Sequence, residues 1–229
     1  MFKRFYLSLL ALFLFSFGVA VGHYNFFPFS ALQSIKAALV SPFLAPFSQS
    51  DRFIRHVALF DGIHGSYDVV FLGDSITSGG RWSELFPLEK VANRGIGGDT
   101  SEGILKRVDQ VIALNPVRVY LMFGINDIIR GTENSEIFSN YKNIISKLQN
   151  SGIKVIVQST LLTERDDFNT KVNALNILLS DYSFKQGIDF IDINSHLAPD
   201  GILQNSYDGI HLNADAYLVW RDAITQVKG

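Results

Sequence analysis

The stretch Val69-Val-Phe-Leu-Gly-Asp-Ser-Ile-Thr77 (VVFLGDSIT) decides how the chain is read. Four apolar residues in a row, two of them β-branched, read as a short strand covered on both faces. The run stops at Gly73, and Asp74, Ser75 and Thr77 follow at once. A glycine lets the backbone turn sharply, and aspartate or serine starts a helix by capping its free amides. Strand, tight turn and helix make half of a βαβ unit, with a hydroxyl at the junction.

Working outward, apolar runs of the same kind recur at Val117–Phe123, Lys154–Gln158 and Ile188–Ile193, with a brief one at Lys90–Ala92. Between them the apolar spacing predicts helices over Ser101–Leu114, Ser135–Asn150, Asn169–Gln186 and Asn213–Val227. In the second of these, Ile137, Tyr141, Ile144, Ile145 and Leu148 fall on one helical face. Strand and helix in alternation imply right-handed βαβ crossovers and a mostly parallel sheet with helices on both faces.

A chain of 229 residues with 47% hydrophobic content buries one sizeable core. The formal net charge is −2 with no basic block, which argues against a nucleic-acid partner. There is no cysteine, so disulfides, thiolate metal sites and a cysteine nucleophile are excluded.

The N-terminus points to a membrane. Lys3 and Arg4 precede a charge-free run from Phe5 to Gly22 that is about as long as a bilayer-spanning helix. Residues 1–22 are therefore expected to be a transmembrane anchor, with everything after Gly22 outside the cytoplasm. A cleaved signal peptide is the alternative, with Ala20 and Gly22 spaced for cleavage and a secreted or periplasmic product. Residues 23–50 are apolar but broken by Pro28, Pro42 and Pro46, and read as a linker, with a short helix possible over Ala31–Val40. The domain proper is read as 51–229.

In a parallel sheet, ligands bind beyond the carboxyl ends of the strands. Ser75 stands there after the first strand, although as a helix cap it would be ordinary. The G-x-S-x-G elbow is absent, because Thr77 occupies the second glycine position. After the second strand comes Asn93-Arg94-Gly95-Ile96-Gly97-Gly98-Asp99, whose glycines free backbone amides for an anion. It is not a dinucleotide fingerprint, since Thr100 replaces the third glycine. The third strand runs into Gly124-Ile125-Asn126-Asp127, and the asparagine offers an uncharged N–H donor suited to an oxyanion. Asp208-Gly209-Ile210-His211 precedes the last helix, a spacing that brings the carboxylate to imidazole Nδ1 and leaves Nε2 to take a proton. His23, His56, His64 and His196 lack such a context; His64, shortly before the first strand, is a minor candidate for the rim of the site.

Taken together, these positions make a nucleophile, a base, its orienting acid and oxyanion donors. The blocks GDSIT, NRGIGGDT, GIND and DGIHL, in that order between about Tyr67 and Trp220, resemble the four sequence blocks of the SGNH, or GDSL-type, hydrolases. The resemblance implies a three-layer α/β/α sandwich with a flavodoxin-like sheet. It places the nucleophile on Ser75, the base on His211, the acid on Asp208 and oxyanion donors on Gly95, Asn126 and the Ser75 backbone. No metal or organic cofactor is implied. The block contexts look most like the small-acyl esterase branch, including carbohydrate O-acetylesterases, acting on a small-molecule or glycan ester. Lysophospholipase, thioesterase and O-acyltransferase activity on envelope glycans are the alternatives.

Overall fold

The computed structural model describes residues 12–19 and 45–227. The compact unit spans Ala45–Gly229. In chain order it contains α1 (Asp51–Asp61), β1 (Val69–Gly73), α2 (Ser75–Gly79), α3 (Trp82–Leu85), β2 (Val91–Gly95), α4 (Ser101–Ile112), β3 (Arg118–Met122) and α5 (Ile125–Arg130). It continues with α6 (Asn134–Asn150), β4 (Lys154–Gln158), α7 (Asp166–Gln186), β5 (Asp189–Ile191), α8 (Asn194–Leu197) and α9 (Ala214–Val227). A 3₁₀ turn, Phe47–Gln49, leads into α1, whose first turn is capped by Ser50 Oγ accepting from the Phe53 amide at 3.2 Å.

The five strands form one sheet in the order β2-β1-β3-β4-β5, with every neighbouring pair parallel. Val69–Leu72 is buried throughout, as a central strand covered on both faces must be. On one face α4 packs against α1 and α6, and α6 against α7; on the other, α3 lies on β2 and α9 on β5. The second face is filled by aromatic rings. Phe71 stacks on Trp82 at 3.9 Å and on Tyr120 at 4.9 Å, while Trp220 meets Trp82 edge-on at 4.7 Å. The strand order reverses between β1 and β3, so the crevice for a ligand opens beyond Gly73 and Met122.

β2 lies further along the chain than its apolar run. A strand expected over Lys90–Ala92 runs instead over Val91–Gly95, with Asn93, Arg94 and Gly95 opposite Phe71, Leu72 and Gly73. Its polar residues are accommodated one by one. Asn93 Nδ2 donates to the carbonyls of Thr77, Ser78 and Gly80, and Arg94 lies over the Phe60 ring at 4.6 Å. The third and fifth strands are trimmed to Arg118–Met122 and Asp189–Ile191, since Ile193 has left the ladder to donate to Ser159 Oγ. The short helices α2, α3, α5 and α8 have too few turns to show a period.

Of the charge-free run 5–22, only 12–19 is described; it is helical, with Leu12, Phe13, Leu14 and Phe15 exposed. Among the described residues no helix is long and apolar enough to cross a membrane. The rest of the expected anchor, the linker over 23–44 and the helix expected at Ala31–Val40 lie outside the described residues. Phe47, at the domain side of the linker, is buried and meets Phe53 edge-on at 6.0 Å.

Candidate active site

At the end of β1, Asp74 is the N-cap of α2, its Oδ1 accepting from the Ile76 amide at 3.0 Å. Ser75 is therefore the first residue of α2, half-buried, with an amide that the helix itself cannot satisfy. The DGIH loop comes to meet it. Asp208 Oδ1 accepts from the amides of Ile210 at 3.1 Å and His211 at 2.8 Å, closing a tight turn. Asp208 Oδ2 lies 2.7 Å from His211 Nδ1, and His211 Nε2 lies 2.8 Å from Ser75 Oγ. An ionised carboxylate only accepts, so in the neutral imidazole Nδ1 carries the proton and Nε2 accepts from the serine hydroxyl.

The loop is braced from β4's side of the sheet. The Glu164 amide donates to the Gly209 carbonyl at 2.9 Å, the Gly209 amide donates to Ser206 Oγ at 2.9 Å, and the Ser206 hydroxyl donates to the Glu164 carboxylate. Tyr207 lies nearly parallel to the His211 ring at 5.8 Å between centroids. Glu164 and Ser206 had no sequence signal, because their pairing spans 42 residues.

Asn126, in the first turn of α5, is half-buried and donates one Nδ2 hydrogen to the Asp99 carbonyl at 3.0 Å, leaving its second hydrogen for another acceptor. Gly95 does not present its amide to the site. That N–H donates to Asn93 Oδ1 at 2.9 Å, and the residue is a glycine for a different reason: a Cβ there would lie 2.2 Å from the Ser78 nitrogen. The free amides are two and three residues further on. Ile96–Asp99 forms a turn closed by the Asp99 amide donating to the Ile96 carbonyl at 3.1 Å, with Gly98 at φ +87°. That φ is what the third position of a type II turn requires. The Gly97 and Gly98 amides have no acceptor among the described residues, and a Cβ on Gly97 would stand 3.9 Å from Ser75 Cβ. The consecutive glycines in GIGGD were the available signal.

Beneath the site sits a buried network of acids. Burial pushes the Asp74 carboxyl up to about 7, and its Oδ2 has no hydrogen-bond partner. Burial also raises Asp127 to about 6, although the Ser101 hydroxyl at 2.6 Å and the Ser101 amide pull the other way. Asp99 is raised by burial against the attraction of Arg107, whose Nε lies 2.7 Å from Asp99 Oδ2 and whose Nη2 donates to the Gly73 carbonyl at 3.0 Å. Asp208 differs. Its partial burial acts upward, but the His211 amide, the His211 imidazole and the Ile210 amide together hold it below the ordinary carboxylate value.

The remaining described histidines stand apart. His64 is exposed beside Gly65, where a Cβ would meet Lys90 Nζ, and so lies at the amino end of the sheet, not on the rim of the site. His56 contacts the Arg52 carbonyl through Nδ1, and His196 is exposed in α8.

A hydrolase built on a flavodoxin-like parallel sheet is the class that this fold and site define. The chain belongs to the GDSL-like Lipase/Acylhydrolase family, whose model matches residues 71–219. Its structure resembles a GDSL-like lipase from Bacteroides thetaiotaomicron VPI-5482, with 25% identity, a TM-score of 0.66, and coverage of 76% of this chain and 96% of that one. An acetylxylan esterase from Geobacillus stearothermophilus shares the fold, at 18% identity and a TM-score of 0.64 over 73% of this chain and 96% of that one. Over 152 residues, 64% of this chain, it is 30% identical to an N-acylneuraminate cytidylyltransferase of Streptococcus agalactiae serotype III (strain NEM316). The chain spans 35% of the length of that curated relative.

Proposed function

We propose that the protein is a serine esterase that removes small acyl groups, above all acetyl, from a carbohydrate or other small alcohol. Ser75 Oγ attacks the ester carbonyl while His211 Nε2 takes its proton, and the same proton then goes to the leaving alcohol oxygen. The acyl group rests on Ser75 until water, deprotonated by His211, releases the free acid. Asp208 holds the imidazole in the required tautomer and stabilises its charge. The oxyanion is received by the Ser75 amide, the second Nδ2 hydrogen of Asn126 and the Gly97–Gly98 amides, in place of Gly95.

The observation that carries this reading is the in-line pair of contacts through His211, 2.7 Å to Asp208 and 2.8 Å to Ser75. The acetylxylan esterase among the structural relatives makes an acetylated sugar the first substrate to test. Acetate release from acetylated xylo-oligosaccharide and p-nitrophenyl acetate, compared with butyryl and long-chain esters and lysophospholipid, tests it. Turnover is expected to fall with acyl length and to vanish in Ser75→Ala. Preference for long chains or lysophospholipid would move the reading to a lysophospholipase or thioesterase, and acyl transfer to a sugar acceptor without free acid would make it a transferase.

We further propose that residues 1–22 anchor the protein in a membrane with the catalytic domain on the extracytoplasmic side. Lys3 and Arg4 ahead of the charge-free run support it. Fractionation with membranes after a high-salt wash is the expected result, and a soluble exported product beginning near His23 would show a cleaved signal instead.

A further inference from the structure

We infer that the rim of the site reads an anionic group on the substrate through Arg52 and Arg130, so that the ester belongs to an acidic molecule bearing a carboxylate or phosphate. This rests on the esterase reading and adds the substrate's charge to it.

Arg52, in the first turn of α1, has its Nη1 3.4 Å from the Gly97 carbonyl. A Cβ on Gly97 would lie 3.1 Å from that Nη1 and 3.9 Å from Ser75 Cβ, so the guanidinium and the serine flank one glycine. Arg130, the last residue of α5, stands one turn beyond Asn126 on the same helix face. Its guanidinium is 5.7 Å from the centre of the Phe47 ring, and a Cβ on Gly98 would lie 2.9 Å from Phe47 Cε2. Arg52 thus touches the Gly97–Gly98 turn beside Ser75, and Arg130 lies against the Phe47 ring that packs on the same turn.

Neither cation has a carboxylate at ion-pair distance among the described residues. Arg55, Lys142, Lys171 and Lys185 also lack one, so what sets Arg52 and Arg130 apart is their place around the Gly97–Gly98 turn. The contact of Arg52 with the Gly97 carbonyl is long for a hydrogen bond and uses one of five guanidinium donors, so a fork remains for a planar oxyanion. Guanidinium matches carboxylate and phosphate geometry in two parallel hydrogen bonds. An acetyl group has no place for a charge, which puts the anion on the alcohol part of the ester.

Three probes test this: the same mono-acetyl ester on methyl glucoside, on methyl glucuronoside and on methyl glucoside 6-phosphate, which differ only at the sixth carbon. The expected result is a kcat/KM about tenfold or more higher for one or both acidic esters at low salt, with the preference shrinking as ionic strength rises. The acidic-to-neutral ratio should fall in Arg52→Gln and in Arg130→Gln, approach one in the double variant, and be partly retained in Arg52→Lys. If sugar esters turn over slowly, competitive inhibition of p-nitrophenyl acetate hydrolysis by glucuronate and glucose 6-phosphate against glucose gives the same ratio. Equal handling of the three by the wild type, or a ratio that neither substitution moves, overturns the anion site and leaves the esterase reading standing. Turnover that survives Ser75→Ala overturns the esterase reading itself.

Discussion

His211 Nε2 and Ser75 Oγ, 136 residues apart in sequence, lie 2.8 Å from each other at the carboxyl edge of the sheet. Groups that act as a unit fail as a unit. Ser75→Ala and His211→Ala are each expected to lower kcat on the order of 10⁴–10⁶-fold, and the double variant no further. Single-turnover assays and labelling by a fluorophosphonate check this. Labelling that persists in Ser75→Ala on another serine would remove Ser75 from the mechanism.

Asn126 has one hydrogen committed to the Asp99 carbonyl and one to spare. Loss of a single oxyanion donor costs about 10²–10³ in turnover. Because the contact strengthens only as negative charge develops, Asn126→Ala should lower kcat by that much with KM near the wild-type value. An effect confined to KM would make Asn126 a substrate-positioning residue.

The strands that the sequence showed best are those with unbroken apolar runs: β4 is found at Lys154–Gln158 as read, and β1 only one residue longer. Of β2 only the first part was read, because Asn93 and Arg94 are held by tertiary partners, the α2 carbonyls and the Phe60 ring, that no local pattern announces. The Asp208–His211 contact was legible since three residues and one turn contain it. Which backbone amide stays free was not, for it depends on where the Asn93 side chain goes.

That difference separates two neighbouring glycines. A methyl on Gly95 would collide with the backbone of Ser78 and Asp74, while on Gly97 it meets only the end of the Arg52 side chain and, at 3.9 Å, Ser75 Cβ. Gly95→Ala should destabilise by about 1–3 kcal/mol or more through overpacking. Gly97→Ala should keep a near wild-type melting temperature yet lose kcat/KM, because the methyl occupies the mouth of the site. Thermal unfolding and kinetics on the pair check it; equal losses of stability would contradict the assignment.

Arg107 and Asp99 form an ion pair in which both side chains are almost wholly excluded from solvent. Breaking a buried pair from one side costs about 3–5 kcal/mol, since the remaining charge has nowhere to go. Arg107→Met also strips the Gly73 carbonyl of a donor. Urea denaturation should show that loss at neutral pH, and a smaller one in acid, where Asp99 takes up a proton and no longer needs a cation.

Asp74 gives a pH dependence of stability whose sign is fixed by its position. Its carboxyl titrates at 3.8 in the ordinary state and about 7 when folded, raised by burial. Between these values the folded protein holds a proton that the unfolded chain has released, so Asp74 makes stability fall as pH rises from about 4 to 7 and level off above. Asp127 acts in the same direction over a narrower window, from 3.8 to about 6. Asp74→Asn copies the protonated form, keeps an oxygen to cap the Ile76 amide and cannot ionise. Relative to wild type, the variant should therefore gain stability between pH 4 and pH 8, by up to about 4 kcal/mol. Subtracting the two urea-denaturation curves cancels Asp127 and every other shared group. A difference that stays constant with pH would mean that Asp74 is ionised in the fold throughout, with a partner for Oδ2 supplied by solvent.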